Sequence, residues 1–559
     1  MKTRSNTKIT DRRFWWLVAL VVTLVYFILH LSYLTKLPVF ADEAIYIRWA
    51  QLIMDDAGRW LFYALNDGKT PLFVWSLVPF QYLFNDQLFA ARLVSVIVGW
   101  VQLLVIGVLT WKLVKSKAGV VFSLVLTTFL PFWFFHHRMA LMDGMLTLWL
   151  SLALLGVVVY LEKVAPTLNR LTSLRLTDLK ELVSFKLVVL LALVGFFLGA
   201  AFWTKLPAVL FIPSLFIWPL AFLSLDLKHW RQLIMRLLIS WIFLLVSVLF
   251  GLFLFYLLKL HPAFGQLFGR GGDFLFTTSE LLHGEIAYGL KKMPSYFQAL
   301  SYYLTPFALL APLIGLILKK HRKLQFVLLL STASFLLPMM LYGRVVYPRY
   351  FLPAAIFLTL SYAVLLSDLV ELANLAKKLT QKALLALVVA LMLANTAGPT
   401  LAFILPSFTH TKEIPFVKVD QVQYLSAWSA GDGVKEVTEK LLTEKSAQNR
   451  IALATEGYFG TLPDGILMYL HGKDVNYLMV EGIGQPVGKI PPEFKEKAKA
   501  YDQVWLLVNS NRLEMDLPKD KLIASYCRLP DPKTKEKKCL LLIDITDLVK
   551  SDSGDNQTF

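Results

Sequence analysis

Apolar and polar positions divide the chain at about residue 405. Before that point long apolar runs alternate with short polar connections. They fall at 14–34, 88–111, 120–135, 142–161, 187–203, 207–225, 233–260, 296–318, 324–342, 351–369 and 383–405. An α-helix needs roughly twenty apolar residues to cross a hydrocarbon core about 30 Å thick. The pattern therefore predicts a mainly α polytopic membrane protein with about eleven transmembrane helices. After residue 405 the apolar runs shorten to strand length, at 451–454, 504–508 and 540–543, and alternate with polar helix-like stretches such as 433–446. This predicts a small α/β domain over 406–550 and a disordered tail over 551–559.

Composition fixes the solvent. The chain is 57% hydrophobic and 17% charged, where a soluble domain is about a quarter charged. The net charge of +17 raises the question of nucleic acid, but the basic residues are scattered through the short connections. That is the positive-inside pattern of a membrane protein, and it leaves no nucleic-acid surface to propose. Lys2, Arg4, Lys8, Arg12 and Arg13 precede the first run, as in a signal peptide. The run itself is of spanning length and no small-residue cleavage site follows it. It reads as an uncleaved span with the N-terminus in the cytoplasm.

Threading from that start places Lys112, Lys115 and Lys117 inside, then Lys163, Arg170, Arg175 and Lys180. Lys228, Arg231 and Arg236 follow, then Lys319, Lys320, Arg322 and Lys323, and last Lys377, Lys378 and Lys382. The connections assigned to the cytoplasm are basic and, apart from the longest, nearly free of acids. An odd number of spans then leaves the α/β domain outside, which places the protein in the plasma membrane with an extracytoplasmic C-terminal domain. There, Cys527 and Cys539 flank a polar stretch that reads as a hairpin turn. An oxidising exterior permits a disulfide across it; two unpaired thiols are the alternative. No internal repeat and no Gly-rich nucleotide loop is present.

Two outer loops, 35–87 and 261–295, are long enough to be functional rather than passive. The first contains Asp42 and Glu43 at the start of a short amphipathic helix, with Ile45, Tyr46, Trp49, Leu52 and Ile53 at helical spacing. Its apolar face is expected on the membrane surface or on neighbouring helices. Other outer-side positions carry His136, His137, Arg138 and Asp143, then Lys205, then Arg344, Arg349 and Tyr350. Outer cations run against the positive-inside trend. Each group has a structural explanation: acids favour first helical turns, Arg92 can snorkel from the start of the second span, Lys69 can sit in a turn, and cations can pair with nearby acids. Those explanations leave the convergence on one side of the membrane unaccounted for. Acids and cations at the outer interface suit a substrate with a lipid tail and a phosphate, with Arg and Lys on the phosphate and a carboxylate as base or sugar ligand.

Five stretches, in order, carry a family resemblance: Asp42-Glu-Ala-Ile-Tyr46; Lys69-Thr-Pro-Leu-Phe73 with Ala90-Ala-Arg-Leu-Val-Ser95; Arg138-Met-Ala-Leu-Met-Asp143; Gly199-Ala-Ala-Phe-Trp-Thr-Lys205 with Pro207; and Tyr347-Pro-Arg-Tyr-Phe-Leu-Pro353. The membrane half resembles the GT-C-type polytopic glycosyltransferases related to dolichyl-phosphate-mannose–protein mannosyltransferases and the bacterial aminoarabinose transferase of lipid A. The α/β domain matches by position only. The resemblance implies a polyprenyl-phosphate sugar donor in the membrane, an extracytoplasmic acceptor (protein hydroxyl, lipid or glycan) and an inverting transfer. Asp42 takes the place of the family's base. Arg138, Lys205 and Arg349 fall at positions that face the donor phosphate, with Arg344 behind them. Asp143 matches an acid near the pocket, and Glu43, Tyr46, Lys69, Arg92 and Tyr350 complete the expected substrate-binding set. This chain has Lys-Thr-Pro where relatives often have a second proline or a histidine before it. No cofactor is implied; metal dependence differs among such enzymes, and the adjacent His136 and His137 do not form a helical ligand pair. Two readings from other classes are a secondary transporter for an anionic solute, which would place its ionisable groups near the midplane, and a non-catalytic receptor or scaffold.

Overall fold

The computed structural model describes residues 3–171, 183–444 and 450–550. Arg175, Lys180 and the expected tail at 551–559 lie outside them, as does the end of the polar stretch at 445–446. Among the described residues eight helices are long and apolar enough to span a membrane: Arg13–Leu31, Gln87–Val114, Met142–Leu168, Phe185–Thr204, Trp230–Leu260, Arg322–Tyr342, Pro348–Leu375 and Leu379–Thr409. A ninth is added if Thr278–Leu304 and Pro306–Ile317, bent by 97°, count as one span.

The expected eleven is therefore too many for uninterrupted spans, and proline is the reason. Pro lacks an N–H and its ring crowds the preceding turn. The run at 120–135 breaks before Pro131 into Lys117–Phe129 and Pro131–His136. The run at 207–225 is cut at Pro207, Pro213 and Pro219 into Leu206–Phe211, Ile212–Ile217 and Pro219–Phe222. In the bent pair Thr305 sits at φ 75° immediately before Pro306. An apolar run is blind to such breaks because proline interrupts the ladder without lowering hydropathy.

The described chain forms two compact units. The first comprises Met1–Ser32, Phe62–Phe73 and Leu93–Ile404. Within it, Phe185–Thr204 packs along Trp230–Tyr256 through Gly195-Phe-Phe-Leu-Gly199 and Gly251. A Cβ at Gly195 would stand 2.6 Å from the Ser247 carbonyl oxygen, so only glycine lets the two backbones approach this closely. Trp203 donates to the Leu254 carbonyl at 2.8 Å and pins the end of the same helix. Leu352–Leu375 is almost wholly buried, and polar pins hold its level: Trp133 donates to Thr359 at 2.9 Å and Gln325 to the Ser361 carbonyl at 3.1 Å.

The second unit comprises Tyr33–Leu61, Val74–Arg92 and Leu405–Phe559. Its sheet has five strands in the order β2-β1-β3-β5-β4. These are β1 Ile451–Thr455, β2 Leu478–Gly482, β3 Gln503–Asn509, β4 Leu522–Cys527 and β5 Cys539–Asp544. β1 runs parallel to β2 and β3, while β5 runs antiparallel to β3 and β4. β1 is buried along its whole length, which explains its unbroken apolar sequence. Ala452, Ala454, Val504, Leu506, Ile543 and Phe494 share one core cluster. The expected hairpin forms between β4 and β5, and Cys527 and Cys539, register partners at its end, are joined by a disulfide.

The helix Ala41–Asp55 of the first outer loop belongs to this unit and packs against Asp464–Leu470. Gln51 donates to the Met468 carbonyl at 2.9 Å, and His471 Nε2 lies 2.9 Å from Asp55 Oδ1. Ala44, Ile45, Tyr46, Ile47, Trp49, Ala50 and Ile53 are all buried. The expected helix exists, and of the two surroundings expected for its apolar face it takes a neighbouring helix, while Asp55 at its end stays exposed.

Candidate functional site

In the first unit three helix ends meet. Asp143 occupies the first turn of Met142–Leu168, Lys205 follows the last turn of Phe185–Thr204, and Arg349 sits in the 3₁₀ turn Pro348–Phe351 that leads into Leu352–Leu375. Pro207 and Pro348 help to set these corners, since proline is favoured in a first helical turn. Lys205 Nζ lies 2.7 Å from Asp143 Oδ1, and Arg349 Nε lies 3.9 Å from Asp143 Oδ2, beyond hydrogen-bond range. The Tyr350 ring serves both cations, with Lys205 Nζ 4.3 Å and Arg349 Cζ 5.5 Å from its centre. Tyr347 adds a second face to Arg349 at 5.1 Å. Two cations and a carboxylate meeting at three helix ends are the groups that hold a phosphate and a sugar hydroxyl. Asp143, Lys205, Arg349 and Tyr350 are thus brought together. Tyr347 and the buried His136, which feels the charges of Arg349 and Lys205, lie in stretches noted in the sequence but were not assigned to the substrate-binding set.

Other expected members are engaged elsewhere. Arg138 Nη1 donates to the carbonyls of Leu29, His30 and Ser32 at 3.0, 3.0 and 2.9 Å, and its guanidinium lies 4.9 Å from the Phe134 ring. It caps the C-terminal end of the first helix, satisfying carbonyls that have no partner within the helix. That is a structural task for Nη1 of a residue expected to contact the phosphate. Lys69 stands 3.2 Å from Asp67, which also binds Arg270 at 2.6 Å, tying two loop segments together. Arg344 pairs with Glu280 at 2.6 Å, both side chains being about two-fifths exposed.

In the second unit Glu43 and Arg92 find each other. Arg92 donates to both Glu43 oxygens at 2.8 and 2.7 Å and to the carbonyls of Leu34, Leu37 and Pro38 at 2.9, 2.8 and 3.1 Å. Glu43 also accepts the Phe40 N–H at 3.0 Å. Both side chains are essentially inaccessible. Glu43 and Arg92, expected as substrate contacts, here hold the turn that enters Ala41–Asp55. Asp42, the second residue of that helix, is half-buried. Tyr46 is buried, its ring centre 6.0 Å from that of Trp49. Arg48 and Asp464 interact electrostatically, a neighbourhood made by residues more than 400 positions apart. Among the described residues no three His, Cys, Asp or Glu side chains group as a metal site.

No protein-family model and no curated protein matches the sequence. The fold has counterparts. ArnT from Cupriavidus metallidurans, the lipid A aminoarabinose transferase, is similar in its structure bound to undecaprenyl phosphate (TM-score 0.52, 14% identity, 94% of this chain and 98% of that one). Its apo structure is similar to the same degree (TM-score 0.53, 13% identity, 95% and 98%). The archaeal oligosaccharyltransferase AglB from Archaeoglobus fulgidus, in complex with an inhibitory peptide and a dolichol-phosphate, covers 89% of this chain and 70% of its own (TM-score 0.50, 11% identity). The chain therefore has, over most of its length, the fold of GT-C polytopic glycosyltransferases. More narrowly, it is an ArnT-like multi-pass membrane fold carrying a C-terminal five-stranded mixed sheet.

Proposed function

We propose that the protein is an inverting glycosyltransferase that moves a sugar from a polyprenyl-phosphate-linked donor to an acceptor outside the cytoplasm. The observation that carries this reading is the meeting of Lys205, Arg349 and Asp143 at three helix ends. Support comes from the shared fold with a transferase crystallised with undecaprenyl phosphate. Lys205 and Arg349 hold the donor phosphate, and Tyr350 keeps both cations in place. Asp143 orients them and can also meet the sugar. Asp42 takes the proton from the acceptor hydroxyl while its oxygen bonds to the anomeric carbon. The bond from that carbon to the phosphate oxygen breaks, and the polyprenyl phosphate leaves with the electron pair. Such a leaving group needs charge stabilisation rather than a proton, so one base suffices. The protein sits in the plasma membrane with a cytoplasmic N-terminus and its α/β domain outside.

The test is transfer of radiolabelled sugar from synthetic polyprenyl-phosphate donors by the purified protein in lipid nanodiscs. Asp42→Asn is expected to lower turnover by about 10²–10⁴-fold, the range of general-base catalysis, with an unchanged melting temperature. Near-normal turnover would remove Asp42 as base. Uptake of an anionic solute into proteoliposomes, without transfer from any donor, would favour a transporter.

A further inference from the structure

The sheet of the second unit offers a site of its own. β1 lies between two parallel neighbours, β2 and β3. In open α/β sheets ligands bind outside the carboxyl ends of the strands where the strand order switches direction. Here four strand ends of one direction deliver Glu456 after β1, Gln485 after β2, Asn509 and Arg512 at and after β3, and Arg528 after β4. Arg512 Nη1 donates to Glu456 Oε1 at 3.0 Å and to Gln485 Oε1 at 2.6 Å. Glu456 also accepts the Asn509 N–H at 2.8 Å, and Arg528 donates to the Asn509 side-chain oxygen. Arg528 is buried, and its Nη2 has no hydrogen-bond partner among the described residues. Burial lowers its pKa to about 10, so it remains a cation at neutral pH.

Aromatic rings border these polar groups. Arg512 stacks 4.6 Å from the Trp428 ring, which is 39% exposed, while Tyr458 and Phe459 on the loop after Glu456 are 73% and 56% exposed. The loop is built, not loose. Gly457 and Gly460 take φ of 70° and 115°, and the Gly457 N–H bonds the Gly484 carbonyl at 2.9 Å. Glu456, Asp432 and Asp464, which accepts the Gly460 N–H at 2.7 Å, stand against Arg512, Arg528 and Lys412, the last 3.5 Å from Asp432, and Glu456 and Asp432 act electrostatically on Arg528. A charge-balanced polar floor beside exposed ring faces suits a neutral ligand with an apolar face and a rim of hydroxyls. That is the chemistry of a sugar ring, which can lay its C–H face on an aromatic surface.

The same segment reaches the proposed base. Ser429, next to Trp428, accepts the Ala41 N–H at 3.0 Å, and Ala430 bridges Phe40 while accepting Arg528 Nε at 2.8 Å. Asp42 is the next residue in the chain. We propose that the carboxyl edge of this sheet, from Trp428 to the Tyr458–Phe459 loop, is a saccharide-binding site that receives the acceptor and presents its hydroxyl toward Asp42. The substrate class named is an acceptor glycan, and this rests on Asp42 acting as the base.

The test uses the full-length protein in detergent, a panel of neutral and acidic tri- and tetrasaccharides, and saturation-transfer NMR. Neutral glycans bind the wild type, and Tyr458→Ala and Phe459→Ala, both at exposed positions, each weaken binding about tenfold or more. Arg512→Lys weakens it less. Asp42→Asn binds glycan as wild type and fails to transfer. Wild-type-like binding by both aromatic variants, no glycan binding at all, or preference for a Ser/Thr peptide overturns the proposal. Site-dependent binding with normal transfer by Asp42→Asn leaves the site standing as a saccharide site and removes both Asp42 as base and the delivery of the acceptor to it.

Discussion

Glu43 and Arg92 in one unit, and Asp143, Lys205 and Arg349 in the other, are assembled from the same functional groups drawn from distant parts of the chain. The first pair is bidentate at 2.7 and 2.8 Å, with side chains 0% and 1% exposed, and three carbonyls take up the remaining guanidinium donors. The second set is looser: Lys205 is 23% exposed, and Arg349 Nε stands 3.9 Å from the carboxylate it faces. A closed pair balances charge and hydrogen bonds internally, so removing one member leaves the other buried and uncompensated. In the looser, open set the partly exposed Lys205 meets its carboxylate through a single contact, a geometry that suits a cation proposed to receive an anion. Carboxylate–cation pairing is thus no guide to function by itself; bidentate geometry and exposure separate the staple from the set proposed as the site.

The largest expected effect is on the closed pair. Arg92→Ala should destabilise the fold by about 3–5 kcal/mol, read as a steep fall in melting temperature. A melting temperature near wild type would break the comparison from its structural side. Next comes Arg349→Ala, which should leave the melting temperature within a few degrees yet reduce kcat/KM for transfer by about 10²–10³, as removal of one charge-stabilising donor does. If activity falls only in step with the folded fraction, the open set is a second staple. Replacing Cys527 and Cys539 by Ser removes a link spanning 12 positions and should cost about 2–3 kcal/mol, with transfer by the folded fraction unchanged. The smallest effect is expected at Arg344, whose partner Glu280 is exposed. Arg344→Ala should leave the melting curve unchanged, because exposed pairs contribute little, and transfer should fall by less than about threefold. A loss matching that of Arg349→Ala would enlarge the open set by one residue.

Much of this was legible in residue patterns. Eight apolar runs became helices of spanning length, and the runs at 451–454, 504–508 and 540–543 became β1, β3 and β5. β2 and β4 were missed because they lie at the two edges of the sheet, where partial exposure dilutes the apolar signal. The placement of Asp143, Lys205, Arg349 and Tyr350 at helix ends is legible in the sequence because each closes or opens a span, while the grouping expected from the family resemblance also included Arg138. The tasks of Arg138, Glu43 and Arg92 were not legible, since a cation seeking backbone carbonyls and a cation awaiting a phosphate have the same sequence signature. The polar edge around Glu456 and Arg528 left no motif at all, because its members come from four separate strand ends.

By itself, then, the sequence determined the solvent, the spanning segments, the switch to an α/β domain and the charged residues available at the helix ends. These follow from hydropathy and local chain stiffness, which act over a few turns. Tertiary structure decided which apolar runs stay straight, which charges saturate one another, and that the Asp42 helix folds with the sheet some 400 residues further on. Those outcomes depend on which backbone carbonyls and side chains come within about 3 Å, the reach of a hydrogen bond, and no local pattern encodes that meeting.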